Sequence, residues 1–182
     1  MRYLPNGKRM SEADAHTIHE IGIPSLVLME RAALQIVETM HKKNISTEKS
    51  LIVCGSGNNG GDGFAVARLL TEQGKHADVL FAGKEASLSE ECRCQKQIVE
   101  NMGISVFTEF PDEEYTVIID AVFGVGLCRE ITGHYKDVID WMNLQDAEKV
   151  AVDIPSGICA ATGKILGTAF RADLTVCMAC VK

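Results

Sequence analysis

The chain has 182 residues, 46% of them hydrophobic, enough for one well-buried core and too short for two typical domains joined by a linker. Its formal net charge of −7 gives no general attraction to a nucleic-acid backbone or an anionic lipid surface, so any phosphate it binds needs a local pocket. There is no run of eighteen apolar residues, and the start Met1-Arg2-Tyr3-Leu4-Pro5-Asn6-Gly7 lacks the apolar core of a secretory signal, so a cytoplasmic protein with neither nucleic-acid nor membrane partners is expected.

The first forty residues read as two helices. Ser11 can cap a run containing Ala13, Ile18 and Ile21, and Gly22 can close it in the left-handed conformation. Pro24 suits the opening turn of a second helix, whose apolar positions Leu26, Val27, Met29, Ala33, Ile36, Val37 and Met40 recur at helical spacing and predict packing against the later part of the chain.

From Ser50 the pattern changes to alternating short strands and helices, the signature of a parallel sheet wound with crossover helices. Strands are predicted at 50–54, 76–81, 104–107, 116–120, 149–153 and 173–178. Helices are predicted at about 61–73, closed by Gly74; at 88–101, with Ser87 and Glu90 as a capping box; and at 134–143. Right-handed crossovers place the loops that leave the strand C-termini on one edge, where ligands of such sheets bind.

Seven cysteines (54, 92, 94, 128, 159, 177 and 180) form an odd set spread through this pattern, so reduced thiols are expected. Cys177 and Cys180 have the spacing of a redox or zinc motif, yet in a strand, positions three apart point to opposite faces. Cys92 and Cys94 sit two apart on a predicted helix and do not face each other. Both pairs read as small, half-buried residues.

Three strand ends carry chemistry. The apolar run Leu51 to Cys54 leads into Gly55-Ser56-Gly57-Asn58-Asn59-Gly60-Gly61-Asp62-Gly63, where glycines let the backbone approach a pyrophosphate and the first helical N–H groups point at the anion. A glycine-rich structural turn is the competing reading. The paired amides Asn58 and Asn59, the carboxylate Asp62, and the absence of an acidic residue after the second strand, which ends in Ala82-Gly83-Lys84, all depart from an ordinary dehydrogenase fingerprint. The second constellation is Ile118-Ile119-Asp120 running into Gly124-Val125-Gly126-Leu127-Cys128-Arg129-Glu130. The third is Val152-Asp153-Ile154-Pro155-Ser156-Gly157. Each aspartate alone is as readily a turn residue as a functional one. Together they match the ligand crevice of an open parallel sheet.

With these motifs, with Ala172-Asp173-Leu174-Thr175-Val176 and with Leu28-Met29-Glu30-Arg31-Ala32, the sequence resembles the NAD(P)HX epimerase family, the YjeF N-terminal domain. The resemblance covers nearly the whole chain in order. It implies an α/β fold, a three-layer α/β/α Rossmann-like parallel sheet with two extra N-terminal helices, forming a single domain over 1–182. Family members usually continue past the position of Lys182 through another glycine-containing segment and a final strand, so the last C-terminal segment is expected to be missing.

The implied activity interconverts the R and S epimers of hydrated, damaged NADH and NADPH (NADHX and NADPHX). Carried over, the resemblance assigns Asn58, Asn59, Gly60, Gly61 and Asp62, then Gly124, Val125, Gly126, Leu127, Cys128, Arg129 and Glu130, and Asp153, to the dinucleotide, and Asn59, Asp120 and Ser156 to a potassium ion (K+). One carboxylate with neutral oxygens suits such a cation, whereas zinc calls for histidines or thiolates, and the five histidines fall away from these loops. A dehydratase domain in the same longer chain and a homodimer are the partners the resemblance allows.

In the hydrated ring, the ring nitrogen can expel the hydroxyl. Asp153 is the expected general acid and base for its departure and return, with Asp62 and Asp120 as weaker candidates, and Lys182 is a group that could orient the ring or a phosphate. The rival reading is a non-catalytic nucleotide- or protein-binding module of the same fold, since related domains serve in an mRNA-decapping scaffold and an apolipoprotein-binding protein.

Overall fold

The computed structural model describes residues 7–178. Two helices, α1 (Gly7–His19) and α2 (Ser25–Lys42), precede the sheet. The chain then runs β1 (Lys49–Cys54), α3 (Asn58–Glu72), β2 (His76–Phe81), a short 3-10 turn (Glu85–Ser87), α4 (Glu90–Asn101), β3 (Val106–Phe107), β4 (Val117–Ala121), α5 (His134–Leu144), β5 (Glu148–Val152) and β6 (Leu174–Val176). All strand pairs are parallel, in the order β3-β2-β1-β4-β5-β6. The chain winds outward from β1 to one edge, then returns beside β1 and winds to the other. This is the doubly wound order in which the loops after β1 and β4 part and open a crevice.

The strands read as continuous apolar runs because both faces of the sheet are covered. Ile52, Val79, Ile119 and Val152 face the layer built by α2, α3 and α4. Leu51, Leu80, Ile118 and Ala151 face α5, with its Val138, Ile139 and Met142, and the loop residues Leu127, Ile131 and Phe170. The three-layer expectation holds. No described helix is long and apolar enough to cross a membrane.

Several boundaries differ from the sequence reading for local reasons. The first helix already runs from Gly7, so Ser11 lies inside it, while Gly22 does adopt a left-handed φ of 84°. In α2, Leu26 and Val27 are exposed, so the buried stripe begins at Met29. Ser89, not Ser87, caps α4, accepting the Cys92 N–H at 3.2 Å, because residues 85–87 are spent in the 3-10 turn. Strand β3 shrinks to two residues at the sheet edge, although the Ser105 carbonyl still accepts from Val79 N–H at 2.9 Å. Cys180 and Lys182 lie outside the described residues.

The change that matters for the site is in α3, which begins at Asn58, three residues before its predicted start. Asn58, Asn59 and Gly60 thereby form the first helical turn, and Asp62 comes one turn later, on the same face as Asn58.

Candidate functional site

A cleft of about 600 Å³ opens where the loops after β1, β4 and β5 meet. Residues 56–59 with Asp62 form one wall, residues 122–129 form another, and Asp153 closes the end of β5. Helix α1 lays Met10 and Asp14 across this opening, and Ser87 and Met178 complete it.

Asn58, Asn59, Asp62, Gly124, Val125, Gly126, Leu127, Cys128, Arg129 and Asp153 all line the cleft, as their motifs suggested. Gly60 and Gly61 do not. A Cβ on Gly60 would meet the Gly55 carbonyl oxygen at 2.0 Å, and one on Gly61 would meet Met29 Cε at 2.6 Å and Cys92 Cα at 3.2 Å. Gly61 also donates its N–H to Gly57 O at 3.1 Å, so that group is not available to an anion. These glycines let α3 pack tightly between α2, α4 and the β1 loop. In the loop after β1 the glycine open to the cleft is Gly57, where a Cβ would meet nothing within 4 Å. The N–H groups offered to a phosphate are those of the first turn, which lack intrahelical partners. Glu130 borders a smaller adjoining cavity of about 210 Å³, formed with Phe123, Arg129 and Tyr135.

Asp153 has a φ of 66°. The Ile154 N–H donates across it to the Val152 carbonyl at 2.8 Å, giving a γ-turn with positive φ. Such a conformation is strained for a residue with a Cβ, by about 1–3 kcal/mol, and aspartate tolerates it better than most. Its own N–H is held by the Val176 carbonyl of β6 at 2.8 Å. The sheet edge thus fixes the direction of this carboxylate. A Cβ built on Gly124 would lie 3.4 Å from Asp153 Oδ2 and 3.4 Å from Asn59 Oδ1, so glycine keeps the cleft floor open between them.

Beneath the floor, Asp120 and Ser156 are both fully buried. Asp120 Oδ1 accepts from Ser156 Oγ at 2.6 Å and from Val122 N–H at 3.1 Å, and Oδ2 accepts from Ser156 N–H at 2.7 Å. Phe123 N–H donates to Ser156 Oγ at 2.9 Å. Burial pushes the Asp120 carboxyl up to about 6, against the opposing effect of these hydrogen bonds.

The sequence model of a family described as "YjeF-related protein N-terminus" matches residues 25–182. The chain belongs to that family. A protein of Weissella koreensis named NAD(P)H-hydrate epimerase is 43% identical over 171 residues, spanning 93% of this chain and 77% of that one. One of the same name from Oenococcus oeni is 42% identical over 95% of this chain and 83% of its own length, and one from Limosilactobacillus reuteri is 44% identical over 97% and 84%. The crystal structure of yeast ynu0, YNL200c, superposes with a TM-score of 0.82 at 20% identity, covering 96% of this chain and 79% of that one, which shows the shared fold.

Against this family background, the sequence reading missed Met10, Asp14, Ser87 and Met178, which α1, the 3-10 turn after β2 and the segment after β6 bring to the cleft. Asp14 changes the electrostatics. The Asp62 carboxyl is pushed up to about 8, first by burial and then by the charges of Asp153 and Asp14, so it carries a proton at neutral pH. Asp14 itself is raised by burial and by Asp153. Burial also raises two nearby thiols, Cys54 well above its usual range and Cys92 to about 12.

Among the described residues, one group of three potential metal ligands gathers elsewhere, His76, Asp78 and Glu113. It sits at the strand N-termini, the edge away from the cleft. Its side chains already serve one another and their neighbours: His76 Nε2 lies 2.8 Å from Asp78 Oδ2, Tyr115 donates to the same oxygen at 3.2 Å, and Lys49 pairs with Glu113 at 2.7 Å.

Proposed function

We propose that the chain is an NAD(P)H-hydrate epimerase whose cleft binds NADHX or NADPHX and whose Asp153 moves the proton that lets the ring hydroxyl leave and return. The observation that carries this reading is the γ-turn at Asp153, which aims a carboxylate into a cleft whose opposite wall is the N-terminus of α3. The first turn of α3 and Arg129 accept the pyrophosphate, leaving the hydrated ring for the carboxylate end. Negative charge there favours the planar cation formed when the ring nitrogen expels the hydroxyl, and water returns to either face of that cation.

Potassium fits beside this cleft. Asp120 and Ser156 offer a carboxylate and a hydroxyl, the Phe123 carbonyl lies 3.4 Å from Ser156 Oγ, and Asn59 has a buried Nδ2 with no hydrogen-bond partner among the described residues. Turning that amide over replaces the orphaned donor with its oxygen, the orientation a cation requires. When bound, the ion supplies fixed positive charge that keeps Asp120 ionised. Asn59, Asp120 and Ser156 would hold it. A dehydratase that accepts one epimer, in the same polypeptide or apart from it, is the partner reaction.

The test is to let such a dehydratase consume its epimer from an NADHX mixture and then add this protein. Renewed consumption, faster than spontaneous epimerisation, supports the reading. An unchanged amount of the second epimer refutes it.

A further inference from the structure

We propose that epimerisation here uses two carboxylates, Asp62 giving a proton to the hydroxyl that departs from one face of the ring and Asp153 taking a proton from the water that adds to the other. This rests on the epimerase reading above and adds a second catalytic group to it. The two side chains enter the same cleft from different elements, Asp62 from the second turn of α3 and Asp153 from the end of β5. A single carboxylate would need the ring or itself to turn over in a cleft whose Asp153 wall is pinned by β6. Two groups on separate elements need no such motion.

Asp62 also has no structural task that explains its place. Among the described residues its side chain has no hydrogen bond or ion pair, and its electrostatic neighbours include the two other carboxylates of the cleft, Asp153 and Asp14. A half-buried acid surrounded by like charge is destabilising unless it serves a ligand. Environments that keep one carboxyl protonated beside an ionised one are the usual basis of an acid and base pair.

The step balances. The Asp62 proton passes to the hydroxyl oxygen, the C–O bond breaks with its electrons on that oxygen, and the ring nitrogen lone pair forms the C=N bond of the cation. Water then adds from the Asp153 side, its proton passes to the Asp153 carboxylate, and the C=N electrons return to nitrogen. One proton has moved from Asp62 to Asp153. The reverse reaction, or exchange with water through the open cleft, restores the starting state. Asp14, exposed on α1, is a positioning residue whose charge favours the proton on Asp62. The other ionisable groups facing Asp62 are Cys54 of β1 and Cys92 of α4, with Arg31 of α2 and Glu91 of α4 lining a neighbouring cavity that Asp62 also borders.

The experiment follows resolved NADHX epimers in ¹⁸O-water, with spontaneous exchange subtracted, for wild type, Asp62→Asn and Asp153→Asn. Both variants should lose epimerisation by about 100-fold or more. Each should still exchange the hydroxyl oxygen of one epimer with retention of configuration, and the epimer should differ between the two variants. Wild-type epimerisation by Asp62→Asn, or loss of exchange from both epimers in either variant, overturns the two-carboxylate scheme. A wild type no faster than background overturns the epimerase reading itself. Melting of each variant confirms that it folds, and Asp14→Asn on the exposed helix gives an independent readout. It should move the alkaline limb of kcat/KM to lower pH, because it removes a charge that holds the proton on Asp62, and an unmoved limb removes Asp14 from the scheme.

Discussion

Ser156 binds both oxygens of Asp120, Oδ1 through its hydroxyl at 2.6 Å and Oδ2 through its backbone N–H at 2.7 Å. The end of β4 and the loop after β5 are therefore fastened together under the cleft. Ser156→Ala removes the hydroxyl from a fully buried carboxylate and should cost about 1.5–3 kcal/mol, the range for a hydrogen bond to a charged group. Urea unfolding measures it. Because a bound ion stabilises only the folded state, the gain in melting temperature from replacing a large organic cation with potassium should shrink in this variant and in Asp120→Ala. An equal gain in wild type and both variants excludes these residues as ion ligands.

Gly57 and Gly61 should respond in opposite ways. Gly61→Val places a side chain against Met29 and the α4 backbone, and overpacking of this kind costs about 1–3 kcal/mol. Gly57→Asp puts a good helix N-cap at the cleft wall, so stability should hold while the new carboxylate repels pyrophosphate. Calorimetric titration with NADP should show at least about tenfold weaker binding, about 1.4 kcal/mol, for Gly57→Asp. Unchanged affinity would place the phosphates elsewhere.

The Asp62 carboxyl should make the protein less stable as pH rises. Its folded-state value of about 8 lies above the unfolded value near 4, so between those limits the folded state binds more protons and stability falls with increasing pH. Asp62→Asn removes that loss. At pH 8 it should melt higher than wild type by about 2–4 °C for each kcal/mol recovered, and the difference should vanish near pH 4. A variant less stable than wild type at pH 8 means that Asp62 is ionised at no such cost.

Much of this architecture is legible in the sequence because each strand run is bounded by a glycine or a charged residue and each crossover helix has its own period. The carboxylates at 120 and 153 are visible for a related reason: each stands at the C-terminal end of an apolar run, where the loops of the ligand crevice begin. The role of Gly61 is not visible, since a glycine needed for a ligand and one needed for a neighbouring helix leave the same letter. Only the start of α3 at Asn58 turns Gly61 toward Met29 and Asp62 toward the cleft. Asp14 is invisible for a different reason. Its helix precedes every glycine loop by tens of residues, and tertiary packing alone carries it over the opening.

The most direct test of the central claim is epimerisation by Asp153→Asn. The substitution keeps the shape of the side chain held in the γ-turn but removes its ability to exchange a proton. Pure R or S NADHX is incubated with wild type or variant, and the other epimer is followed by chromatography with the enzyme-free rate subtracted at each pH. We expect binding within about tenfold of wild type and turnover lower by about 10²–10⁴-fold. Turnover equal to wild type would contradict the assignment of Asp153 as the group that moves the proton.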